Sequence, residues 1–380
     1  MHRLRGALKI THIINSLGTG GAEGALFRLI KHSSNPHNHS VITLLDEGPY
    51  KKKLEDIGVE VISLNFKSKL VLIHAIKLYF ILIRKRKSVV QTWLYHSDLI
   101  GGLLTRLSFN SKLIWTIRNT AVHNNSKATK YIQKLCSFMS PFLPNKILSC
   151  SYVAKEYHLS LGYSNKIIVI PNGYDLTAFS HARAIRDESV STFDLLGKSF
   201  VIGCVARFDD QKDHKTLFES FSNALKSGII PSNAILVLAG AGMTSDNCLL
   251  NQLLAEYGIN KNAKLYGVRG DILSLMSCFD VSILTSLSEA FPNVLAESMG
   301  LGVPCIATNV GDSSIIVGNH GWISSPQDVD NITRNIGDSF SLHQNEKLKN
   351  SLRQKCIDST VSRYSIETMV KSFELVWAKF

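Results

Sequence analysis

Two carboxylates, Glu289 and Glu297, flank a proline in the segment at 286–304, which reads SLSEAFPNVLAESMGLGVP. Proline suits the first position of a helix because its missing N–H would have no partner there. We therefore expect a helix to begin near Pro292, with Glu289 in the preceding loop and Glu297 inside the helix. A helix N-terminus attracts anions, and carboxylates accept hydrogen bonds from hydroxyls. The segment predicts a site for a sugar and its phosphates.

The alternative is that both carboxylates are ordinary surface charges. Glu289 has no evident Lys or Arg partner nearby in sequence. Glu297 lies among Leu295, Ala296 and Met299, on a helix face that we expect to be half buried. A half-buried carboxylate needs a donor, and sugar hydroxyls are suitable. The pattern therefore favours a binding role.

Two cations, Arg207 and Lys212, follow the apolar run at 201–206. Arginine binds phosphate through two hydrogen bonds and lysine supplies a point charge, so the pair could neutralise a diphosphate without a metal ion. A solvated surface position is the usual alternative for lysine. An arginine directly after a buried strand is harder to explain in that way, and we favour the binding role.

The loop at 18–24, GTGGAEG, follows the first predicted strand. Its glycines permit close approach of backbone N–H groups to a phosphate. Asp46 lies about 20 residues further on, the spacing of a dinucleotide-binding fingerprint. A tight turn without a ligand is the third interpretation, and the loop alone does not decide among the three.

Short apolar runs alternate with longer helical patterns, which predicts parallel sheets with helices on both faces. The expected strands form two series, at 9–15, 41–45, 59–64, 89–94, 113–117, 147–150 and 167–170, and at 201–206, 234–239, 264–268, 281–285 and 304–308.

The two series predict an α/β protein with two doubly wound Rossmann-like domains facing a central cleft. We place the domains at 1–175 and 196–360, with a polar, structure-poor stretch at 180–198 between them. A helical pattern at 361–380 is a candidate to pack back on the first domain. Because ligands bind beyond the carboxyl ends of strands in such sheets, the cleft is the expected site.

Composition describes a globular chain: of 380 residues, 45% are hydrophobic and 19% charged. The seven cysteines are scattered, which favours buried free thiols in a reducing compartment. We see neither a secretory leader nor the ~20 apolar residues of a spanning helix. These features predict a cytoplasmic protein.

Charge is uneven, because residues 1–168 hold 24 Lys and Arg against 8 Asp and Glu, whereas the remainder holds 18 against 22. The basic half predicts an anionic partner. Two clusters stand out, at 51–53 and 84–87, and the second follows an apolar stretch at 70–83. Such a helix suits an anionic membrane surface, and a core helix with a solvated tail is the alternative. Nucleic acid is not favoured, because the cations are not interleaved with stacking aromatics.

Taken together, these motifs resemble the family 4 glycosyltransferases, which are retaining enzymes of GT-B fold that use nucleotide sugars. The resemblance covers nearly the whole chain. It depends on segments 18–23 and 171–175, on Arg207 with Lys212, on Gly267 with 271–272, and on the E-x7-E pair.

The resemblance implies roles for individual residues and no metal or other cofactor. Glu289 contacts the hydroxyls of the donor sugar, Glu297 binds the ribose, and Arg207 and Lys212 hold the diphosphate. The implied catalytic residues are Glu289, Arg207 and Lys212. The other implied donor-binding residues are Gly20, Gly21, Asn172, Val268, Phe291, Pro292, Asn293 and Glu297.

The acceptor side departs from the family pattern. Many members carry a histidine after the fifth strand of the first domain, where this chain reads TIRNT at 116–120. Arg118 or His123 could serve there. His96 also follows a predicted strand, although a lone histidine is more often a structural hydrogen-bonding group.

The resemblance extends to enzymes of bacterial surface-polysaccharide assembly, of the O-antigen, lipopolysaccharide or capsule type. It implies a hexosyl- or N-acetylhexosaminyltransferase that uses a UDP-sugar and a polyprenyl-diphosphate-linked or other lipid-linked glycan. Such an enzyme would be peripheral on the inner face of the cytoplasmic membrane. The alternatives are an NAD-dependent dehydrogenase that uses the loop at 18–24, and a non-catalytic protein that binds an anionic membrane or nucleic acid.

Overall fold

A computed structural model describes residues 8–45, 47–66, 70–110, 112–120 and 127–380. Within these residues the strands are β1 (Ile10–Ile14), β2 (His39–Thr43), β3 (Glu60–Ser63), β4 (Val89–Trp93), β5 (Leu113–Ile117), β6 (Lys146–Ser149), β7 (Ile167–Val169), β8 (Val201–Val205), β9 (Ile235–Ala239), β10 (Ala263–Leu265), β11 (Val281–Leu284), β12 (Cys305–Thr308) and β13 (Gly321–Ser324).

The α-helices of the same described residues alternate with these strands. They are α1 (Gly21–Lys31), α2 (Gly48–Glu55), α3 (Val71–Arg84), α4 (Tyr95–Leu107), α5 (Lys127–Met139), α6 (Tyr152–Ser160), α7 (Leu176–Ala184), α8 (Arg186–Thr192), α9 (His214–Lys226), α10 (Cys248–Glu256), α11 (Ile272–Ser277), α12 (Asn293–Gly300), α13 (Ser313–Val317), α14 (Val329–His343), α15 (Glu346–Tyr364) and α16 (Ile366–Trp377).

The chain forms two compact units. The first comprises Met1–Gly173 with Ile366–Phe380, and the second is Tyr174–Ser365. The first unit contains a parallel sheet in the order β3-β2-β1-β4-β5-β6-β7. Apolar residues of α1 and α16 pack in one core cluster, and apolar residues of α3 and α5 pack in another.

The second unit contains a parallel sheet in the order β10-β9-β8-β11-β12-β13. Its core cluster draws on β8, β9 and β11 and on the apolar faces of α9, α10 and α14. The fold class expected from the sequence, two doubly wound Rossmann-like domains, is confirmed.

All twelve strands expected from apolar runs are present with ends within three residues of those expected, and β13 was missed. The stretch at 180–198 was predicted wrongly, because it contains the end of α7 and all of α8. Arg183 donates to the Gly300 carbonyl at 2.6 Å and Arg186 to the Ser277 carbonyl at 3.0 Å. These bonds tie α7 and α8 to the second unit, which therefore begins at Tyr174 and not at 196.

The C-terminal helical pattern is divided by Ser365, where the backbone is extended. The segment before this break belongs to α15 in the second unit, and α16 belongs to the first. Trp377 is buried and donates its indole N–H to Gln91 of β4 at 2.7 Å.

Candidate functional site

The sheet of the second unit changes direction between β8 and β11. After β8 the chain adds β9 and β10 on one side, and then returns to place β11 on the other. In open α/β sheets, ligands bind beyond the carboxyl ends of the strands at such a switch point. The loop after β8 carries Arg207 and Lys212, and the loop after β11 carries Glu289. The sequence-predicted catalytic residues therefore lie at this one position in the second sheet.

Lys212 and Glu289 are bonded to each other across the switch point. The Lys212 Nζ is 2.5 Å from Glu289 Oε1, and the Ser286 hydroxyl donates to the same oxygen at 2.8 Å. The side chains are only 17% and 12% exposed. Glu289 has no basic partner nearby in sequence, as noted above, and the structure supplies one from Lys212, 77 residues away along the chain. An ammonium group carries three donors, so Lys212 can bind Glu289 and a further acceptor together.

Backbone and side-chain bonds hold the two loops against each other. The Leu287 N–H donates to the Gln211 carbonyl at 2.8 Å, and the Gln211 amide donates to the Ser288 carbonyl at 2.6 Å. The Thr285 hydroxyl donates to the Asp213 carbonyl at 2.9 Å. Asp213 itself has a left-handed φ of 46° and caps α9. The position of Lys212 is thus fixed by its neighbours.

Arg207 is the exposed cation of the site. Its side chain is 68% exposed and forms an ion pair with Asp209 at 3.1 Å. The loop after β9 packs against the backbone just before Arg207, because a Cβ on Gly240 would stand 2.1 Å from the Ala206 carbonyl oxygen. The Phe208 N–H donates to the Ala241 carbonyl at 2.8 Å. The backbone around Arg207 is therefore constrained while its guanidinium group faces solvent.

His214 does not add charge to this site at neutral pH. It is buried at the start of α9, with its ring 5.3 Å from that of Phe208. Burial lowers the pKa of His214 to about 4. The imidazole is therefore neutral near pH 7, and Lys212 with Arg207 supplies the positive charge of the loop.

The helix predicted near Pro292 is confirmed, because α12 begins at Asn293 and Pro292 occupies its N-cap position. Asn293 accepts a hydrogen bond from the Tyr174 hydroxyl at 2.6 Å. Phe291 is buried with its ring 5.4 Å from that of Tyr364. Glu297 is half-buried inside α12, as the sequence predicted. The start of α12 is thus anchored by two tyrosines.

Gly311 is a site residue that the sequence analysis missed. It follows β12 with a φ of 55°, and a Cβ there would stand 2.5 Å from the Ala290 carbonyl oxygen and 2.6 Å from that of Glu289. The Asp312 N–H donates to the Ala290 carbonyl at 2.9 Å. The loop after β12 therefore supports the backbone that carries Glu289. A glycine soon after a predicted strand was the signal available in sequence.

Val268 lies at the same edge of the second sheet but farther from the switch point. It follows β10, two strands away from β8, and is 79% exposed. The neighbouring Gly267 has a φ of 59°, and its carbonyl accepts from the Gly240 N–H at 2.7 Å. Backbone contacts of this kind link the loop of Val268 to the Arg207 loop.

The first sheet has its own switch point, between β1 and β4. Asn15 joins the two following loops, since its Oδ1 accepts from the Ser97 N–H at 3.1 Å and the Ser97 hydroxyl at 2.6 Å. Gly20 is the N-cap of α1 and Gly21 its first residue. A Cβ on Gly20 would lie 2.4 Å from a carboxylate oxygen of the buried Glu23. A side chain at position 20 would therefore have to displace the end of the Glu23 side chain.

Three sequence-predicted residues of the first unit follow its strands. His96 lies in the first turn of α4, where burial lowers its pKa. Arg118 follows β5 and donates to the side-chain oxygen of Asn172, and its guanidinium lies 5.6 Å from the Trp93 ring centroid. Arg118 and Asn172, to which we gave different roles, thus contact each other. His123 lies outside the described residues, as does Asp46 of the dinucleotide fingerprint.

All seven cysteines are free and six of them are buried, with Cys248 the exposed one. This agrees with the free thiols expected from the sequence. Among the described helices, none combines the length and the apolar character that crossing a membrane requires.

Comparisons with known proteins match both units. The family model described as "Glycosyltransferase Family 4" matches residues 19–178, and that described as "Glycosyl transferases group 1" matches residues 199–340. With the two parallel sheets, these matches define a glycosyltransferase of GT-B fold. The chain belongs to the glycosyltransferases with a family 4 first domain and a group 1 second domain. The dehydrogenase alternative is therefore not supported.

The individual relatives include a galactosyltransferase and a capsular polysaccharide biosynthesis glycosyltransferase. The chain is 26% identical over 300 residues to UDP-Gal:alpha-D-GlcNAc-diphosphoundecaprenol alpha-1,3-galactosyltransferase of Escherichia coli, with 77% of this chain and 75% of the relative covered. It is 23% identical to the capsular polysaccharide biosynthesis glycosyltransferase CapM of Staphylococcus aureus, with 80% of each chain covered. Anabaena HepE in complex with UDP superposes with a TM-score of 0.83 at 17% identity, covering 98% of this chain and all of HepE.

Proposed function

We propose that this glycosyltransferase transfers a hexosyl or N-acetylhexosaminyl group from a UDP-sugar to a lipid-linked glycan, with retention of the anomeric configuration. The pathway proposed is the assembly of a bacterial surface polysaccharide of the O-antigen or capsule type. Two kinds of similarity support this. The E. coli relative is named for a UDP-Gal donor and a diphosphoundecaprenol-linked acceptor, and HepE is described in complex with UDP.

The observation that carries the donor assignment is the bonded pair of Lys212 and Glu289 at the switch point of the second sheet. In the proposed complex Lys212 keeps its bond to Glu289 and donates a second bond to the diphosphate. Glu289 then has its other oxygen directed to the hydroxyls of the sugar. One residue pair thus connects the leaving group to the transferred group.

Arg207 completes the proposed diphosphate site. Its exposed guanidinium can bind two phosphate oxygens in a bidentate manner, and its ion pair with Asp209 is solvent-accessible and therefore weak. Negative charge develops on the leaving diphosphate as the bond to the sugar breaks. Fixed cations at that position stabilise the transition state, which is usually the largest single contribution to catalysis. The two side chains can supply this charge themselves, so we propose a metal-independent transfer.

Two further parts of the second unit are proposed to bind the donor. The N-terminus of α12, with Phe291, Pro292 and Asn293 around it, would bind the sugar and phosphates, and Glu297 would bind the ribose. Val268 would lie at the outer end of the nucleotide. From the first unit, Gly20 and Gly21 are proposed to approach the donor through their backbone.

The first unit is proposed to bind the acceptor. Arg118 lies beyond β5, where its position is fixed by Asn172 and the Trp93 ring. A fixed guanidinium suits the diphosphate of a lipid-linked glycan. His96 is mostly neutral at pH 7 and is proposed as a hydrogen-bonding group on the same side.

Docking on an anionic membrane is part of the proposal, on the cytoplasmic face. Large apolar side chains of α3 are exposed, among them Leu72, Ile73, Ile76 and Phe80. α3 packs beside α4 and α4 beside α5, and these neighbours expose Leu107, Phe109, Tyr131, Phe138 and Phe142 in and after their helices. Exposed apolar surface on this scale is typical of an interaction site. The basic charge of the same half favours an anionic surface.

The assignment is tested by incubating the enzyme with a panel of UDP-sugars and an undecaprenyl-diphosphate-linked monosaccharide. We expect transfer from one UDP-sugar, with a product whose anomeric proton shows retention by NMR. Arg207→Ala should lower the rate at least tenfold, whereas Lys226→Ala, which removes an exposed cation at the far end of α9, should not. Full activity of Arg207→Ala would contradict the donor assignment.

A further inference from the structure

A large basic cavity lies in the first unit, at the edge of the sheet opposite to the switch point. Its volume is about 1050 Å³. The lining comes from residues just before the strands, including Lys9 before β1 and Lys112 before β5, and from the C-terminal end of α3. The floor contains the buried hydroxyls of Thr11, Ser40 and Ser88. This amino-end cavity includes the basic cluster at 84–87, to which the membrane docking proposed above assigns no discrete ligand.

The cations of the amino-end cavity are largely unneutralised. Six Lys and Arg side chains line it, namely Lys9, Arg84, Lys85, Arg86, Lys87 and Lys112. Among the described residues only Lys85 has a carboxylate partner, Glu60, at 2.6 Å. Glu60 is also the one acidic side chain among the lining residues that the structure describes. The cavity therefore concentrates positive charge against a polar floor, which suits a phosphate group.

The exposed face of α3 leads directly into this cavity. Leu72, Ile76 and Phe80 follow one another at four-residue intervals and are each more than half exposed. Residues at this spacing stand on one side of a helix. The next positions on that side, Ile83 and Arg84, line the cavity. Over its 14 residues α3 is about 21 Å long, so its surface changes from apolar to cationic along one line.

We infer that the amino-end cavity binds the headgroup phosphate of an anionic membrane phospholipid while the exposed face of α3 contacts the acyl region. This deepens the proposed membrane docking and rests on it. A discrete headgroup site at one end of α3 would fix the orientation of the first unit on the membrane. The carboxyl edge of the sheet, where Arg118 lies, would then be held at the opposite end of the same helix.

The test compares flotation of the full-length enzyme with vesicles of phosphatidylcholine alone and of phosphatidylcholine containing phosphatidylglycerol. The cavity variant is Arg84→Ala with Lys112→Ala, which removes cations from two walls. The matched control is Lys52→Ala with Lys53→Ala, which removes two exposed cations of α2 outside the cavity. Each basic residue near an anionic surface changes affinity roughly fivefold, so the cavity variant should bind phosphatidylglycerol vesicles about 25-fold more weakly. The control should stay close to wild type.

Each outcome bears on a different part of the account. If the wild type does not bind phosphatidylglycerol vesicles, the proposed membrane docking is wrong and the headgroup site is wrong with it. If the wild type binds and the two double variants behave alike, docking stands and the headgroup site is wrong. A soluble phosphate compound is the alternative ligand for the amino-end cavity. Stabilisation of the wild type, but not of the cavity variant, by free glycerol 3-phosphate, with equal vesicle binding by both, would also overturn the lipid assignment.

Discussion

The bond between Lys212 and Glu289 gives the sharpest test of how the site is built. Lys212→Met removes the charge and keeps the length of the side chain. It removes the ammonium group from Oε1 of the Glu289 carboxylate, which is 12% exposed. The Ser286 hydroxyl still donates to that oxygen. Removing one partner of a largely buried ion pair costs about 3 kcal/mol of folding free energy. We expect Lys212→Met to lower the folding stability of the second unit by about this amount.

The pair should also be coupled. Lys212→Met with Glu289→Gln removes both charges, so no buried carboxylate is left without its cation. The double variant should therefore lose less stability than the sum of the two single variants, by roughly 2 kcal/mol. Urea denaturation measures the free energy of unfolding of the wild type, the two single variants and the double variant. Donor turnover should be lost in all three variants, because both charges are proposed to contact the donor.

A surface pair provides the control. Lys349 and Glu346 are also 2.5 Å apart, but Glu346 is 73% exposed. Lys349→Met should have a small effect on stability, since exposed pairs contribute little. Equal losses in Lys212→Met and Lys349→Met, or additive losses in the Lys212 and Glu289 cycle, would refute the conclusion that the switch-point pair is a buried, coupled unit.

Two further predictions concern the support of the site and the pH dependence of the fold. Gly311→Ala should lower kcat more than it raises KM for the donor, because a Cβ 2.5 Å from the Ala290 carbonyl oxygen displaces the loop of Glu289; steady-state kinetics showing an unchanged kcat would exclude this. Burial lowers the pKa of His39 and His158 to about 4, below the 6.5 of an exposed histidine. Below pH 6.5 the unfolded chain therefore binds more protons than the folded chain does. Above that pH these histidines do not lower the free energy of unfolding. As the pH falls towards 4 they lower it, by about 2 kcal/mol per histidine at about pH 5. Urea midpoints that stay constant between about pH 7 and pH 5 would show that these histidines are not buried in the neutral form.

Strands were the part of the fold most readily predicted from the sequence. Buried parallel strands read as short apolar runs, and twelve such runs became strands. β13 was missed because Gly-Trp-Ile-Ser is short and only partly buried. The helices at 176–192 were missed because α8 is polar and both are short, and their position is set by tertiary bonds such as that from Arg183 to Gly300. Such contacts leave no periodic signal.

The residues of the candidate site were predicted from the sequence, but the hydrogen bonds and ion pairs between them were not. Arg207, Lys212 and Glu289 were each found because they follow predicted strands, and the topology then places the ends of those two strands, β8 and β11, side by side. The pairing of Lys212 with Glu289 depends on strand order, which local pattern does not reveal. The same is true of Arg118 and Asn172. Gly311 was missed because its role is a close backbone approach, which becomes visible only in three dimensions.

The central claim is that the cations beyond β8 bind the diphosphate of a nucleotide sugar. Isothermal titration of UDP into the wild type, Arg207→Ala and Lys226→Ala tests it most directly. We predict saturable binding by the wild type and by Lys226→Ala, and at least tenfold weaker binding by Arg207→Ala, because a charge-assisted hydrogen bond contributes about 1.5 kcal/mol or more. Equal UDP affinity in all three proteins would contradict the account.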